Sequence, residues 1–171
     1  MLTMGFALAM VPVLLFPIFK KYNEALALGA VVFRGALETV AYIAVVICWL
    51  LLIILSQEYV KAGAPDASYF QTLGTLLLEA ANWFGYILSI VFSIGALMIY
   101  YLFYQTKLIP RWLSLWGLIG AVIYLAQPIL AMFGSELDLL FAPLAVQEMV
   151  LAVWLIVKGF NSSAIASGSA N

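Results

Sequence analysis

Long apolar runs alternate with short polar turns along the whole chain, and the runs have the length that a membrane demands. From Leu2 to Phe19 no charged residue interrupts 18 positions, and Lys20-Lys21 closes the run. A hydrocarbon core of ~30 Å needs ~20 helical residues, so this stretch is predicted to be a first spanning helix. Pro12 and Pro17 should bend it or fray its end, which bundle neighbours tolerate in a membrane. Asn23, in the turn Lys20-Lys21-Tyr22-Asn23-Glu24, suits the amino-terminal cap of a second helix. That helix is predicted from Ala25 to about Ser56, with tilt or extension into the headgroups absorbing its excess length.

The main loop is predicted between Gln57 and Gln71, around the turn signal Gly63-Ala64-Pro65-Asp66. Tyr59, Tyr69 and Phe70 suit a membrane boundary there. A third helix, from about Thr72 to Tyr104, carries Ala81, Gly85, Ser89 and Ser93 at four-residue spacing, a strip that lets another helix come close. Tyr100, Tyr101 and Tyr104 read as interfacial anchors at its end. Pro110 fits the first turn of a fourth helix, Arg111 to Phe133, with Trp112 and Trp116 at its start and Gly117 and Ala121 repeating the small-residue spacing. Gly134-Ser135-Glu136-Leu137-Asp138 closes this hairpin, and a fifth helix runs from about Leu139 to Lys158. The expected fold class is all-α: a polytopic transmembrane helical bundle of about five spanning helices. Residues 1–160 form its single domain, and 161–171 a flexible carboxy-terminal tail of small and polar residues.

Composition strengthens this picture. Hydrophobic residues make up 67% of the chain and charged residues 9%, against about 25% charged in a soluble domain. A net charge of −1 without a basic cluster argues against nucleic acid as a partner. The expected partners are the lipid bilayer and a membrane protein or second copy beside it. Cys48 is the one cysteine and lies in an apolar run, so no intrachain disulfide forms and a packing role is expected. The first helix lacks the charged leader and small-residue cleavage site of a secretory signal, so its removal is not expected. Lys20, Lys21, Lys107, Arg111 and Lys158 fall on one side of the predicted bundle and Lys61 alone on the other, with Glu58, Asp66, Glu136 and Asp138. By the positive-inside rule the protein sits in the cell membrane with its amino terminus outside and its carboxyl terminus in the cytoplasm. The sequon Asn161-Ser162-Ser163 then faces the cytoplasm and reads as a chance match. An uncharged amino terminus placed outside would be explained by a preceding helix.

Candidate chemistry centres on Arg34 and Glu38, one helical turn apart and far from either end of their helix. Arg34 lies ~13 Å and Glu38 ~20 Å beyond Ala25, and Glu148 lies ~15 Å from Lys158. The three share a layer. A guanidinium at that depth needs a partner, so a buried charge cluster of Arg34, Glu38 and Glu148 is expected, with Arg34 pairing across helices to Glu148. Two carboxylates against one guanidinium are balanced by protonation of one acid, by a bound cation, or by hydrogen bonds to neighbours such as Tyr42, Gln147 or Thr39. Glu79, Asn82, Gln127 and Gln147 are further candidates for polar or ligand contacts. The simpler readings are solvation at a headgroup boundary for Glu79 and Asn82, and, for Gln127, satisfaction of backbone freed at Pro128.

Three stretches resemble a known family. Leu108-Ile109-Pro110-Arg111-Trp112-Leu113-Ser114, followed by Gly117-Leu118-Ile119-Gly120-Ala121, is similar to a recurrent segment of the bacterial membrane proteins catalogued as domain of unknown function 4386 (DUF4386). Pro143 through Gln147-Glu148, with Trp154-Leu155-Ile156-Val157-Lys158-Gly159-Phe160, is similar to that family's closing helix. Tyr22 to Gly29, leading to Phe33-Arg34 and Glu38, resembles its loop and following helix. The resemblance implies a polytopic membrane protein, whose relatives begin with an additional hydrophobic helix, and it supplies no activity.

The sequence has no histidine. That removes bis-histidine haem, histidine metal sites and Ser-His or Cys-His nucleophile pairs, and no phosphate-cradling glycine loop appears. The expectation is a non-enzymatic protein with no metal and no cofactor. It is a binding or structural membrane bundle organised around the Arg/Glu cluster. The alternative is a small proton- or cation-coupled solute transporter using Glu38 and Glu148, although no internal repeat supports it.

Overall fold

The computed structural model describes residues 2–63, 67–135, 137–162 and 164. The helices in order are α1 Leu2–Phe19, α2 Glu24–Ala30, α3 Glu38–Lys61, α4 Ala67–Thr106, α5 Arg111–Met132 and α6 Ala142–Val157. A π-helical segment, Val31–Leu37, joins α2 to α3, and a 3-10 turn, Asp138–Phe141, leads into α6. No strand occurs among the described residues. The rod from Glu24 to Lys61 counts as one span, and among the described residues five helices are long and apolar enough to cross a membrane.

Helix ends follow local chemistry. Asn23 is extended, and its side-chain oxygen accepts the Leu26 N–H at 3.0 Å, which satisfies one orphan donor of α2. Pro110 stands just ahead of α5 instead of inside its first turn: its ψ is 137°, and its carbonyl accepts the Leu113 and Ser114 N–H groups. α1 remains helical through both Pro12 and Pro17. The connection between the second and third spans is much shorter than Gln57 to Gln71. Helix persists to Lys61 and resumes at Ala67, supported by the Glu58–Lys61 ion pair at 2.7 Å and the edge-on Tyr59 and Phe70 rings. Ala64, Pro65, Asp66 and Glu136 lie outside the described residues.

α4 is the hub of the bundle. It packs against α5, α3, α2 and the π segment, while α6 leans on α5 and α1 on the π segment and α3. The core is densest where Phe19, Leu102, Phe103, Leu108 and Leu113 are buried. There the Phe103 ring lies 5.4 Å from Phe19 and 6.1 Å from Phe160, which gathers the chain next to Lys20, Lys107 and Lys158 at one end. Asn161, the first residue of the expected tail, is tied to this end: its backbone N–H donates to the Leu108 carbonyl at 2.9 Å. Of the rest of the tail only Ser162 and Ala164 are described.

The expected packing strip holds only in part. Ala81, Ser89 and Ser93 are buried, but a Cβ on Gly85 would meet nothing within 4 Å, because Gly85 lines a crevice. The close approaches lie elsewhere, at Gly95, Gly117 and Gly120. A Cβ at Gly120 would sit 3.1 Å from the Leu144 backbone, and one at Gly117 would run into the Tyr100 ring. The outer faces are apolar, with Leu14 70% and Ile156 84% exposed, a surface that soluble monomers rarely present at this scale.

Candidate functional site

Arg34 projects from the π segment. The Glu38 N–H donates to the Phe33 carbonyl five residues back, the wider ladder that defines such a segment and that recurs at functional positions. Two glycines let neighbours close on it. Gly95 of α4 faces the Arg34 backbone, and Gly35 lies against Ala9 and Pro12 of α1. The Thr39 hydroxyl donates to the Gly35 carbonyl at 2.6 Å.

The guanidinium is held from three directions. Nη1 donates to Glu38 Oε1 at 3.1 Å and to Oε2 at 3.0 Å, while Nη2 donates to Glu148 Oε1 at 3.3 Å. Its carbon lies 4.0 Å from the centroid of the Phe92 ring on α4. A desolvated cation–π contact contributes about 2 kcal/mol. The side chains of Arg34 and Glu38 are 10% and 2% exposed, but that of Glu148 is 37% exposed. Glu148 opens onto a cavity of about 110 Å³ shared with Arg34 and walled by Leu8, Val11 and Leu15 of α1 and Leu151 and Leu155 of α6. Two carboxylates meet one guanidinium, and the less buried of them faces this apolar cavity. The arrangement can fix the register of α6 against the π segment, and it can hold one proton or one cation at Glu148.

The other candidates separate. Gln147 is fully buried with both ends used: its oxygen accepts from the Tyr100 hydroxyl at 2.7 Å, and its nitrogen donates to the Leu113 carbonyl at 3.1 Å. It clamps α4, α5 and α6 together. Gln127 and Asn82 meet at a crevice near the α5–α6 turn, whereas Glu79 is exposed and does not line it. Gln127 Nε2 donates to Asp138 Oδ1 at 3.2 Å. Its Oε1 is buried without a hydrogen-bond partner among the described residues, a state that costs about 1–3 kcal/mol. The buried hydroxyls of Ser93 and Ser114 donate to backbone carbonyls four residues back, those of Ser89 and Pro110.

A family match now joins the geometry. Residues 1–159 match the family described as domain of unknown function (DUF4386). The chain belongs to that family. The DUF4386 match spans the whole Arg34, Glu38 and Glu148 cluster and the Gln127 crevice, so both lie within the family's own unit. No curated protein and no solved structure matches the chain.

Arg34 and both acids are legible in the sequence, whereas the roles of Phe92, Gly95 and Asp138 are not, and Tyr100, expected as an interfacial anchor, is instead buried at 3% exposure and bonded to Gln147. Phe92 and Gly95 fall off the four-residue strip that drew notice on α4. Their signal was the interval of three that puts an aromatic ring and a bare backbone on one face.

Proposed function

We propose that this DUF4386 protein is a non-enzymatic integral membrane bundle in which the Arg34, Glu38 and Glu148 cluster locks three elements in register. The observation that carries this reading is the single guanidinium bonded both to Glu38 beside it and to Glu148 on α6. In a low-dielectric interior an unpartnered charge is costly, so each member enforces the position of the others. The bundle sits in the cell membrane with its amino terminus outside and its carboxyl terminus in the cytoplasm, a reading supported by the collection of Lys20, Lys107 and Lys158 at one end. Its partners are the bilayer and, through the exposed apolar faces, a membrane protein or a second copy.

A second reading rests on one observation: Glu148 faces a cavity. A small proton- or cation-coupled transporter would load its ion there. Glu148→Gln separates the two. In the structural reading the variant lowers the unfolding temperature in detergent, and proteoliposomes of either form show no proton flux. A transporter would show flux in the native protein and lose it in Glu148→Gln, with the unfolding temperature nearly intact.

A further inference from the structure

At the lysine-rich end of the bundle, the α4–α5 connection and the end of α6 border a cavity of about 460 Å³, within the ~300–1,000 Å³ of small-molecule sites. Lys107, Arg111 and Lys158 line it over a floor of Leu108, Ile109 and Phe160, and no acid takes part. Among the described residues none of the three cations is in an ion pair. Gly159, at φ 68°, turns the chain out of α6. Asn161 then closes the wall across the connection, its N–H donating to the Leu108 carbonyl at 2.9 Å and its Nδ2 to the Lys107 carbonyl at 3.5 Å. The guanidinium carbon of Arg111 lies 5.2 Å from the centroid of the Tyr104 ring. Lys107 has a φ of 55°, the left-handed region, immediately after the last turn of α4. Glycine is the usual occupant of that position and carries no strain there, so a cation stands where glycine would fit at lower cost.

An apolar groove of about 400 Å³ adjoins this cavity, and Trp154 and Lys158 border both. Met149, Val150, Val153 and Val157 complete the groove, which follows α6 for ~13 Å back from Lys158 to Met149. On the membrane reading proposed above, on which this inference rests, the groove faces acyl chains and the basic cavity lies at headgroup level. Cations at the head of an apolar groove have the charge and shape complementary to an anionic lipid. We propose that the cavity and groove together bind one anionic phospholipid, with its phosphate among Lys107, Arg111 and Lys158 and an acyl chain against Val153 and Val157. Lys20 and Lys21, which follow α1 at the same end, do not line the cavity, so the site is distinct from the general positive charge of that face.

The test reconstitutes the full chain in phosphatidylcholine nanodiscs doped with a chain-brominated lipid, either phosphatidylglycerol or phosphatidylcholine, and compares tryptophan quenching. Trp154 borders both parts of the site and the Trp112 ring lies 6.3 Å from it, so a brominated chain held there is reported. Brominated phosphatidylglycerol should quench at a roughly tenfold lower mole fraction than brominated phosphatidylcholine. Lys107→Gly and Lys158→Gln should each weaken that preference roughly fivefold. Lys107→Gly also relieves the left-handed backbone, so it should not lower the unfolding temperature in neutral nanodiscs. Lys20→Gln combined with Lys21→Gln should leave the preference in place. Equal quenching by the two lipids, or a loss in the Lys20 and Lys21 double variant as large as in Lys107→Gly, would overturn the assignment. Displacement of the brominated lipid by millimolar glycerol phosphate would overturn it too, by making a soluble phosphate ester the ligand. Incorporation into neutral nanodiscs without an anionic preference sinks this site alone, whereas a chain that enters no nanodisc contradicts the membrane reading and the site with it.

Discussion

Gly95 on α4 lies directly against the backbone of Arg34: a Cβ at position 95 would stand 2.9 Å from the Arg34 nitrogen and 3.0 Å from its Cβ. Those are backbone and near-backbone atoms that cannot swing aside. The contact keeps Phe92, three residues earlier on the same helix, over the guanidinium. The absence of one side chain on α4 is therefore part of how the charge cluster is built.

Gly95→Ala should lower stability by about 1–3 kcal/mol, the usual cost of overpacking a tight contact. Gly85→Ala should behave oppositely. With nothing within 4 Å of the new methyl, the better helix propensity of alanine leaves stability unchanged or raised by up to ~1 kcal/mol. Thermal unfolding of the two variants in one detergent checks the contrast.

Gln147 makes the second contact worth testing. Its replacement by Leu leaves the buried Tyr100 hydroxyl without its acceptor and should cost about 1–3 kcal/mol. In a Tyr100→Phe background the same change should cost less, because the hydroxyl that lost its partner is gone. Equal losses in both backgrounds would show that Gln147 acts through Leu113 or through volume alone.

Orientation is tested by reporters. A reporter active only in the cytoplasm should work when fused after Asn171 and fail when inserted at Gly63. The reverse pattern would place the Gln127 crevice on the cytoplasmic side.

Much of this architecture was legible in the sequence because membrane spans are written in composition: each apolar run is long, unbroken and closed by charge or by turn residues. Asn23 was legible too, since a short polar side chain before an apolar run has one common use. The π segment was not. Val31, Val32 and Phe33 carry no mark of a ladder that reaches back five residues, and the segment lies where α1 and α4 pack against Gly35 and Arg34. The polar residues from Gln57 to Gln71 suggest a loop in water, yet helix continues to Lys61 and resumes at Ala67, with the Glu58–Lys61 pair and the Tyr59 and Phe70 rings lying along it. The depth of Arg34 demanded partners. The cavity beside Glu148 and the bond from Gln127 to Asp138 depend on how helices far apart in sequence converge, which spacing along one helix does not encode.

The most direct measurement of the central claim is a double-mutant cycle on Arg34→Leu and Glu148→Leu, read as unfolding free energy in one lipid or detergent environment. Arg34→Leu leaves the buried Glu38 without its guanidinium and should cost about 3–5 kcal/mol, whereas Glu148→Leu, which leaves Arg34 still bonded to Glu38, should cost less. If Arg34 holds α6 through Glu148, the double change should cost less than the sum of the two by about 0.5–3 kcal/mol. Additivity to within ~0.3–0.5 kcal/mol would contradict the account, and the 3.3 Å contact between them would then carry no structural role.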